Sequence, residues 1–342
     1  MNALSSDEPF RAFGLTDVGQ KRDNNQDQFL ISELRASMHI HASSLPVHSS
    51  STLFGSTRGQ VLVVADGMGG HASGRRASRV ALDDLVSQLL NRVHWFLRTD
   101  REAEDEFIES LQRVLRRTHA RVLAEAASNA NHRGMGTTLT MAHIVWPRMY
   151  VVHAGDSRCY LIRDQECRQL TTDHTLAHQM VQAGGLAPED EAGSRWSNVL
   201  WNVLGGSGEQ ELIAEVHRVE LRAGDTVLLC SDGLTRYIND DGIREVVTEG
   251  GQDVEAICHR LLGIANAAGG EDNITAVVFQ HKGNDPETEP STQQLELPLY
   301  LMMDQSTDES DLTNPNADGE TLEADGDPLW SFSDEETLPE ES

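Results

Sequence analysis

Five aspartates and one arginine have the types and settings that chemistry requires. VLVVADGMGGH puts Asp66 at the end of an apolar, β-branched run, VVHAGDSR does the same for Asp156, and VLLCSDG for Asp232. EDNITAVVF sets Asp272 just before such a run, and TDVGQKRDNNQDQF supplies Arg22 and Asp27 near the N-terminus. A carboxylate at a strand end, with glycine after it, can point its oxygens into a shared cleft while the backbone turns away. Several such groups in one low-dielectric cleft repel one another strongly. A hard divalent cation such as Mg2+ or Mn2+, which prefers oxygen ligands, resolves that repulsion. Each aspartate alone reads as a turn or cap residue, since Asp-Gly is a common turn signal. Only the whole set, in order, points to a metal centre.

The elements that must position these residues are partly legible. Residues 59–66 (GQVLVVAD) predict a buried strand. From Ala77 to Leu97, apolar residues such as Leu82, Leu85, Leu89 and Val93 recur at helical spacing. A second helix follows Arg101, with Phe107, Leu111, Val114, Leu115 and Val122 on one face. Residues 136–163 predict two or three strands around a Pro147-Arg148 turn; further strands fall at 212–219, 225–231 and 273–280, with a helix around 252–267. Blocks of strands interrupted by paired helices fit an α+β architecture better than βαβ alternation. Residues 33–58 are Ser- and His-rich without a period and read as an inserted loop.

The chain has 342 residues, 38% of them hydrophobic, with Lys+Arg 27 against Asp+Glu 55 and a formal net charge of −28. Residues 283–342 hold 18 of the acids and no Lys or Arg, which leaves 37 acids against 27 bases elsewhere. The acidity therefore belongs mainly to a tail whose composition predicts disorder. This balance argues against a nucleic-acid or anionic-membrane binder, which needs a positive field. Cys159, Cys167, Cys230 and Cys258 show no CxxC pair, so a reducing cytoplasm is the simplest reading. The N-terminus lacks a signal-peptide pattern, and no apolar run approaches the ~20 residues of a membrane span.

RDNNQD, ADGMGGHASG, GMGTTLT, AGDSRCYL, TTDHT, SDGL and EDNIT, in that order, resemble the motifs of the bacterial type-2C (PPM-family) metal-dependent protein serine/threonine phosphatases. The resemblance covers roughly residues 11–281. It implies a domain over 1–282 with two central, mainly antiparallel sheets flanked by helices in an α-β-β-α sandwich, and a flap over 171–206 beside the cleft. It also implies two Mn2+ or Mg2+ ions, with a third as an option. Asp66 would bridge the ions and the Gly67 carbonyl would be a further ligand, with Asp232 and Asp272 completing the first ion's shell. Asp27 would act through metal-bound water, and Asp156 with Asp232 would hold the third ion. Arg22 would grip the substrate phosphate, a task suited to a planar guanidinium. His71 is either the general acid for the leaving alkoxide or a helix cap. The implied reaction is hydrolysis of phosphoserine or phosphothreonine by a metal-activated water, without a phospho-enzyme.

The sequence departs from the family in two places. Gln26 replaces the common Glu before the metal-site aspartate, which removes one negative charge. Ser194-Arg195-Trp196 replaces the usual His-Pro of the flap. His174 reads as ordering the segment after it, Gly134, Gly136 and Thr137 as structural, and Arg158 as an internal partner within AGDSR. Two rival readings are a non-catalytic module on the same fold and a two-metal nucleotide phosphodiesterase. The first normally loses metal carboxylates, and the second mixes His with Asp at the metals; neither pattern is evident here. The expected partners are phosphorylated proteins and, by analogy, an opposing serine/threonine kinase, with the protein a cytoplasmic monomer.

Overall fold

Val61, Leu62, Val63, Val64 and Ala65 are each fully buried. Successive side chains of a strand point to opposite faces, so both faces of this one must be covered. The fold is arranged to do that. The computed structural model of the chain describes residues 10–42, 44, 52–92, 101–206 and 211–282. The described residues all fall within one compact unit. The acidic tail over 283–342, expected to be disordered, lies outside the described residues.

The chain runs through β1 (Phe10–Asp17), β2 (Gln28–His39), β3 (Thr52–Ala65) and the two-residue β4 (Gly67–Met68), then helices α1 (His71–Arg92) and α2 (Arg101–Ser128). Next come β5 (Gly136–Thr137), β6 (Leu139–Val145), β7 (Arg148–Ala154), β8 (Arg158–Arg163) and β9 (Glu166–Gln169). After α3 (Leu176–Gln182) and β10 (Leu204–Gly205) follow β11 (Glu215–Glu220), β12 (Thr226–Cys230) and the short α4 (Asp232–Thr235). The last elements are α5 (Asp240–Gly250), α6 (Val254–Ala267) and β13 (Ile274–His281).

Two five-stranded antiparallel sheets result, in the orders β11-β7-β6-β3-β2 and β1-β13-β12-β8-β9. The alternation of β3 now has its reason. Val61 and Val63 face a core shared with α1 (Ala77, Leu85) and α2 (Leu111, Leu115). Leu62 and Val64 face the other way, into the core with Cys159, Leu229 and Val277 of the second sheet. A third core packs α5 and α6 on that second sheet through Val246, Ile257 and Leu261. The layers are therefore α-β-β-α.

The inserted loop expected over 33–58 is a correction. Residues 33–39 and 52–58 are the outer arms of β2 and β3, with Glu33 opposite Gln60 and His39 opposite Thr52. The pairing continues outward from a β3 that β6 already fixes, with Gln60 opposite Ile144. From Glu33 to His39 only Leu34 is buried, and Gln60 donates to Glu33 at 2.8 Å, so no apolar period announces the arm. Residues 43 and 45–51 lie outside the described residues. The helix expected to reach Leu97 is described as far as Arg92, and its Leu90 is exposed rather than core. Sequence reading also missed β1, β9 and α5. For α5 a signal was present: the Asn239 side chain accepts from Gly242 N at 3.0 Å as an N-cap, and Ile243, Val246 and Val247 follow at helical spacing.

Candidate active site

The strand ends converge. Asp66 follows β3, Asp232 opens α4 just beyond β12, Asp272 stands before β13, and Asp156 sits in the turn between β7 and β8. All four line one cleft of about 320 Å³ together with Arg22, Gly67 and Gln26. Asp27 is buried close by, its Oδ2 accepting from Thr275 Oγ1 at 2.6 Å and Ser231 Oγ at 2.7 Å.

Each position is held by its backbone. The Asp66 N–H donates to Thr138 Oγ1 at 2.9 Å, and its carbonyl accepts from the Thr138 N–H and Thr137 Oγ1, both at 2.8 Å. That is the structural work of the GMGTT segment. A side chain at Gly67 would collide with the Gly74 carbonyl, and one at Gly233 with the Asn273 carbonyl. The glycine after each of these aspartates thus answers to close backbone approach, more than to turn formation. Asn273, which sequence reading missed, ties the N-terminal loop to β13. It accepts from Gln26 N at 2.8 Å and donates to the carbonyls of Val18 and Asn24 at 2.9 and 3.1 Å. Its signal was its place directly after Asp272.

The carboxylates are electrostatically strained by one another. Burial, then Asp27, Asp232, Asp156 and Asp272, hold Asp66 well above the usual carboxylate range. Burial, then Asp232 and Asp173, do the same to Asp156. Burial raises Asp27 to about 6 against the hydrogen bonds from Thr275 and Ser231. Asp27 Oδ1 and Asp232 Oδ1 are buried without a hydrogen-bond partner. An all-oxygen donor set with orphaned anionic oxygens fits hard divalent cations.

Two guanidiniums sit on the cleft wall. Arg22 Nη2 donates to Asp272 Oδ2 at 2.7 Å, and Arg236 Nη2 donates to Asp232 Oδ2 at 2.6 Å. Arg236 escaped sequence reading; its only signal is the four-residue step from Asp232 along a short helix. His71 opens α1 directly after Gly69 and Gly70, whose φ angles are +115° and +89°. Its side chain lies outside the described residues.

His174 does order its surroundings. Its Nδ1 accepts from the Gly155 N–H and from Asn202 Nδ2, both at 3.0 Å, and its Nε2 lies 3.0 Å from Glu215 Oε2. It therefore joins the segment over 171–206 to the residue before Asp156. His153 stacks on it at 4.8 Å, and the donor atoms of His153, His174 and Glu215 lie within 4.8 Å of one another. Each also has protein partners: His153 contacts Thr140 Oγ1 at 2.9 Å and the Thr172 carbonyl at 3.0 Å. Arg158 is a correction of partner. It pairs with Asp173 through Nε at 2.9 Å and Nη2 at 2.7 Å, outside AGDSR.

Strand-end carboxylates gathered in one cleft beside guanidiniums suit metal-dependent phosphoryl hydrolysis. Known proteins narrow it. The family described as Protein phosphatase 2C matches residues 38–266. The chain is 35% identical over 278 residues to the protein phosphatase PhpP of Streptococcus pneumoniae, covering 80% of this chain and 98% of that protein. It is 33% identical over 229 residues to the serine/threonine phosphatase stp of Listeria innocua, 66% of this chain and 87% of that one. The crystal structure of the Mycobacterium tuberculosis serine/threonine phosphatase PstP/Ppp superposes with a TM-score of 0.62 at 30% identity, over 79% of this chain and 98% of that chain. The catalytic domain of PstP has also been solved in complex with two manganese ions, with a TM-score of 0.60 to this chain at 30% identity, covering 79% of this chain and 97% of that one. The chain belongs to the protein phosphatase 2C family. It is a metal-dependent protein serine/threonine phosphatase, acting on phosphorylated proteins. No helix among the described residues is long and apolar enough to cross a membrane.

Proposed function

We propose that Asp27, Asp66, Asp156, Asp232 and Asp272, with the Gly67 carbonyl, hold two Mn2+ or Mg2+ ions and a third more weakly, and that this centre removes phosphate from phosphoserine and phosphothreonine. The observation that carries the reading is the convergence of four carboxylates on one cleft, with Asp232 Oδ1 and an oxygen of the neighbouring Asp27 buried without a partner. When bound, the ions supply an activated water and offset charge on the phosphoryl oxygens. Arg22, on the cleft wall and held by Asp272 through one nitrogen, binds and orients the phosphate. His71 delivers a proton to the departing alkoxide. The segment over 171–206, which lends Asn198 and Leu200 to the cleft, covers one side and narrows the access of water. The protein works in the cytoplasm as a monomer opposite a serine/threonine kinase, and the tail after Lys282 is dispensable for turnover.

A phosphothreonine peptide assayed with Mn2+, with chelator, and beside a phosphodiester tests this reading. Expected is Mn2+-dependent hydrolysis of the peptide and little of the diester; the reverse preference favours a nucleotide phosphodiesterase. His71→Ala should slow a serine phosphate, a poor leaving group, far more than p-nitrophenyl phosphate, because only the alkoxide needs a proton. An equal fall on both makes His71 structural.

A further inference from the structure

Arg236 caps the C-terminus of α4, its N–H donating to the Asp232 carbonyl at 2.9 Å. Its guanidinium reaches back over the same turn, so a single bond at 2.6 Å aims it across the cleft mouth. Its side chain is 31% exposed, which leaves it reachable from solvent while its orientation is fixed. The remaining guanidinium donors have no other partner among the described residues.

Three depressions meet at this side chain. One is the carboxylate cleft. The second, about 640 Å³, leaves the cleft at Asp156 and Asn198 and runs along the flap segment past His178 to Glu191. The third lies on the α5 side, beside Tyr237 and Gly242. A polypeptide with its phosphorylated residue in the cleft can continue along either outer depression, and Arg236 borders both.

Arg158, Asp173, His178 and Glu191 along the flap channel already have partners. Arg158 is paired with Asp173, at 2.7 Å for the closer contact, and His178 Nδ1 lies 2.9 Å from Glu191. Asp156 and Asp232 belong to the carboxylate cluster. Asp232 also divides its oxygens: Oδ2 holds Arg236, while Oδ1 is buried without a partner. A cation held by Asp232 would draw on the same negative charge that holds Arg236 and would leave the guanidinium more attraction for a second anion.

We propose that Arg236 selects substrates, binding an anionic side chain that flanks the phosphorylated residue. This rests on the phosphatase reading and adds the chemistry of the substrate to it. The planar fork accepts a carboxylate or a second phosphate in the same geometry. An anion at the right position should raise kcat/KM about tenfold over its neutral counterpart, mainly through KM.

The test uses phosphothreonine peptides with Glu, phosphoserine, Gln or Lys scanned through three positions on either side. They are assayed at saturating Mn2+ with the full chain, Arg236→Ala, Arg236→Lys and Arg236→Glu. Binding of uncleavable phosphonate analogues, followed by fluorescence anisotropy, gives a readout apart from turnover. The full chain should prefer Glu or phosphoserine to Gln at one position or more. Arg236→Ala should bring that ratio near one in both turnover and binding, Arg236→Lys should keep part of it, and Arg236→Glu should favour Lys. A larger preference for phosphoserine assigns the selection to charge; equal preference for Glu and phosphoserine assigns it to the fork geometry the two anions share. Variants that slow every peptide equally and leave the ratio unchanged overturn the proposal, since Arg236 then acts only by holding Asp232. A full chain indifferent to the flanking charge overturns it too. Failure to hydrolyse even the Gln peptide would strike the phosphatase reading itself, a result distinct from lost selectivity.

Discussion

Asp232→Asn should cost about three orders of magnitude in turnover on a phosphothreonine peptide, the size of losing about 4 kcal/mol of electrostatic stabilisation at the reacting phosphate. Asp232 is the most exacting of the five because its charge acts on three of the other four. It raises the proton affinity of Asp27, Asp66 and Asp156, it holds Arg236, and it keeps one oxygen buried and free. Asparagine has nearly the same shape, so packing around Ser231 and Gly233 persists. Removing one negative charge from a repelling cluster should leave the melting temperature of the chelated protein unchanged or higher. Steady-state turnover at saturating Mn2+ checks this, beside thermal melting. Retention of more than a tenth of the activity would contradict the role given to Asp232.

The second large effect is thermal and depends on pH. In the chelated protein Asp27 has moved from 3.8 to about 6, and Asp66 and Asp156 stand well above the usual range. For an acid raised in the folded state, the stabilising contribution is complete below the unfolded value. It is lost as pH rises through the folded value, about 6 for Asp27, while Asp66 and Asp156 are displaced in the same direction. The chelated protein therefore carries its greatest carboxylate strain at neutral pH, where a cation relieves most. His143 and His153, each lowered to about 4 by burial, work the other way: their contribution is lost as pH falls from the free-histidine value toward 4. Both forms of the protein share that loss, so it cancels in the difference between them. Mn2+ at about a hundred times its dissociation constant should add roughly 2.7 kcal/mol, or a rise of several degrees, at pH 7.5. At pH 5 protons compete for the same oxygens, and the rise should shrink to less than half. Melting curves with and without Mn2+ at both pH values measure it. A rise that is constant or larger at pH 5 would show that the raised carboxylates are not the binding groups.

How much of this was legible depended on the kind of signal. Asp66, Asp156, Asp232 and Asp272 could be found because apolar runs end or begin beside them, and a buried strand must end where its carboxylate meets a cleft. The α2 stripe was equally plain: Phe107, Leu111, Val114, Leu115 and Val122 are all buried. The outer arms of β2 and β3 were not, because in β2 a single buried residue, Leu34, stands among polar and exposed ones and leaves no period. Arg236 and Asn273 were hidden for a different reason. Each acts through a partner distant in the chain or one turn away, as Asn273 does for Val18 and Asn24, and residue type alone does not reveal such a tie. Similarly, Arg158 was expected to find its partner inside its own turn, and finds Asp173 after β9 instead.

The most direct measurement of the central claim is anomalous scattering from crystals of the full chain grown with Mn2+. Five aspartates acting as one centre predict at least two manganese peaks in the cleft, in contact with Asp66 and with Asp232 or Asp272. An empty cleft at saturating Mn2+, or manganese seated instead at His153, His174 and Glu215, would contradict it.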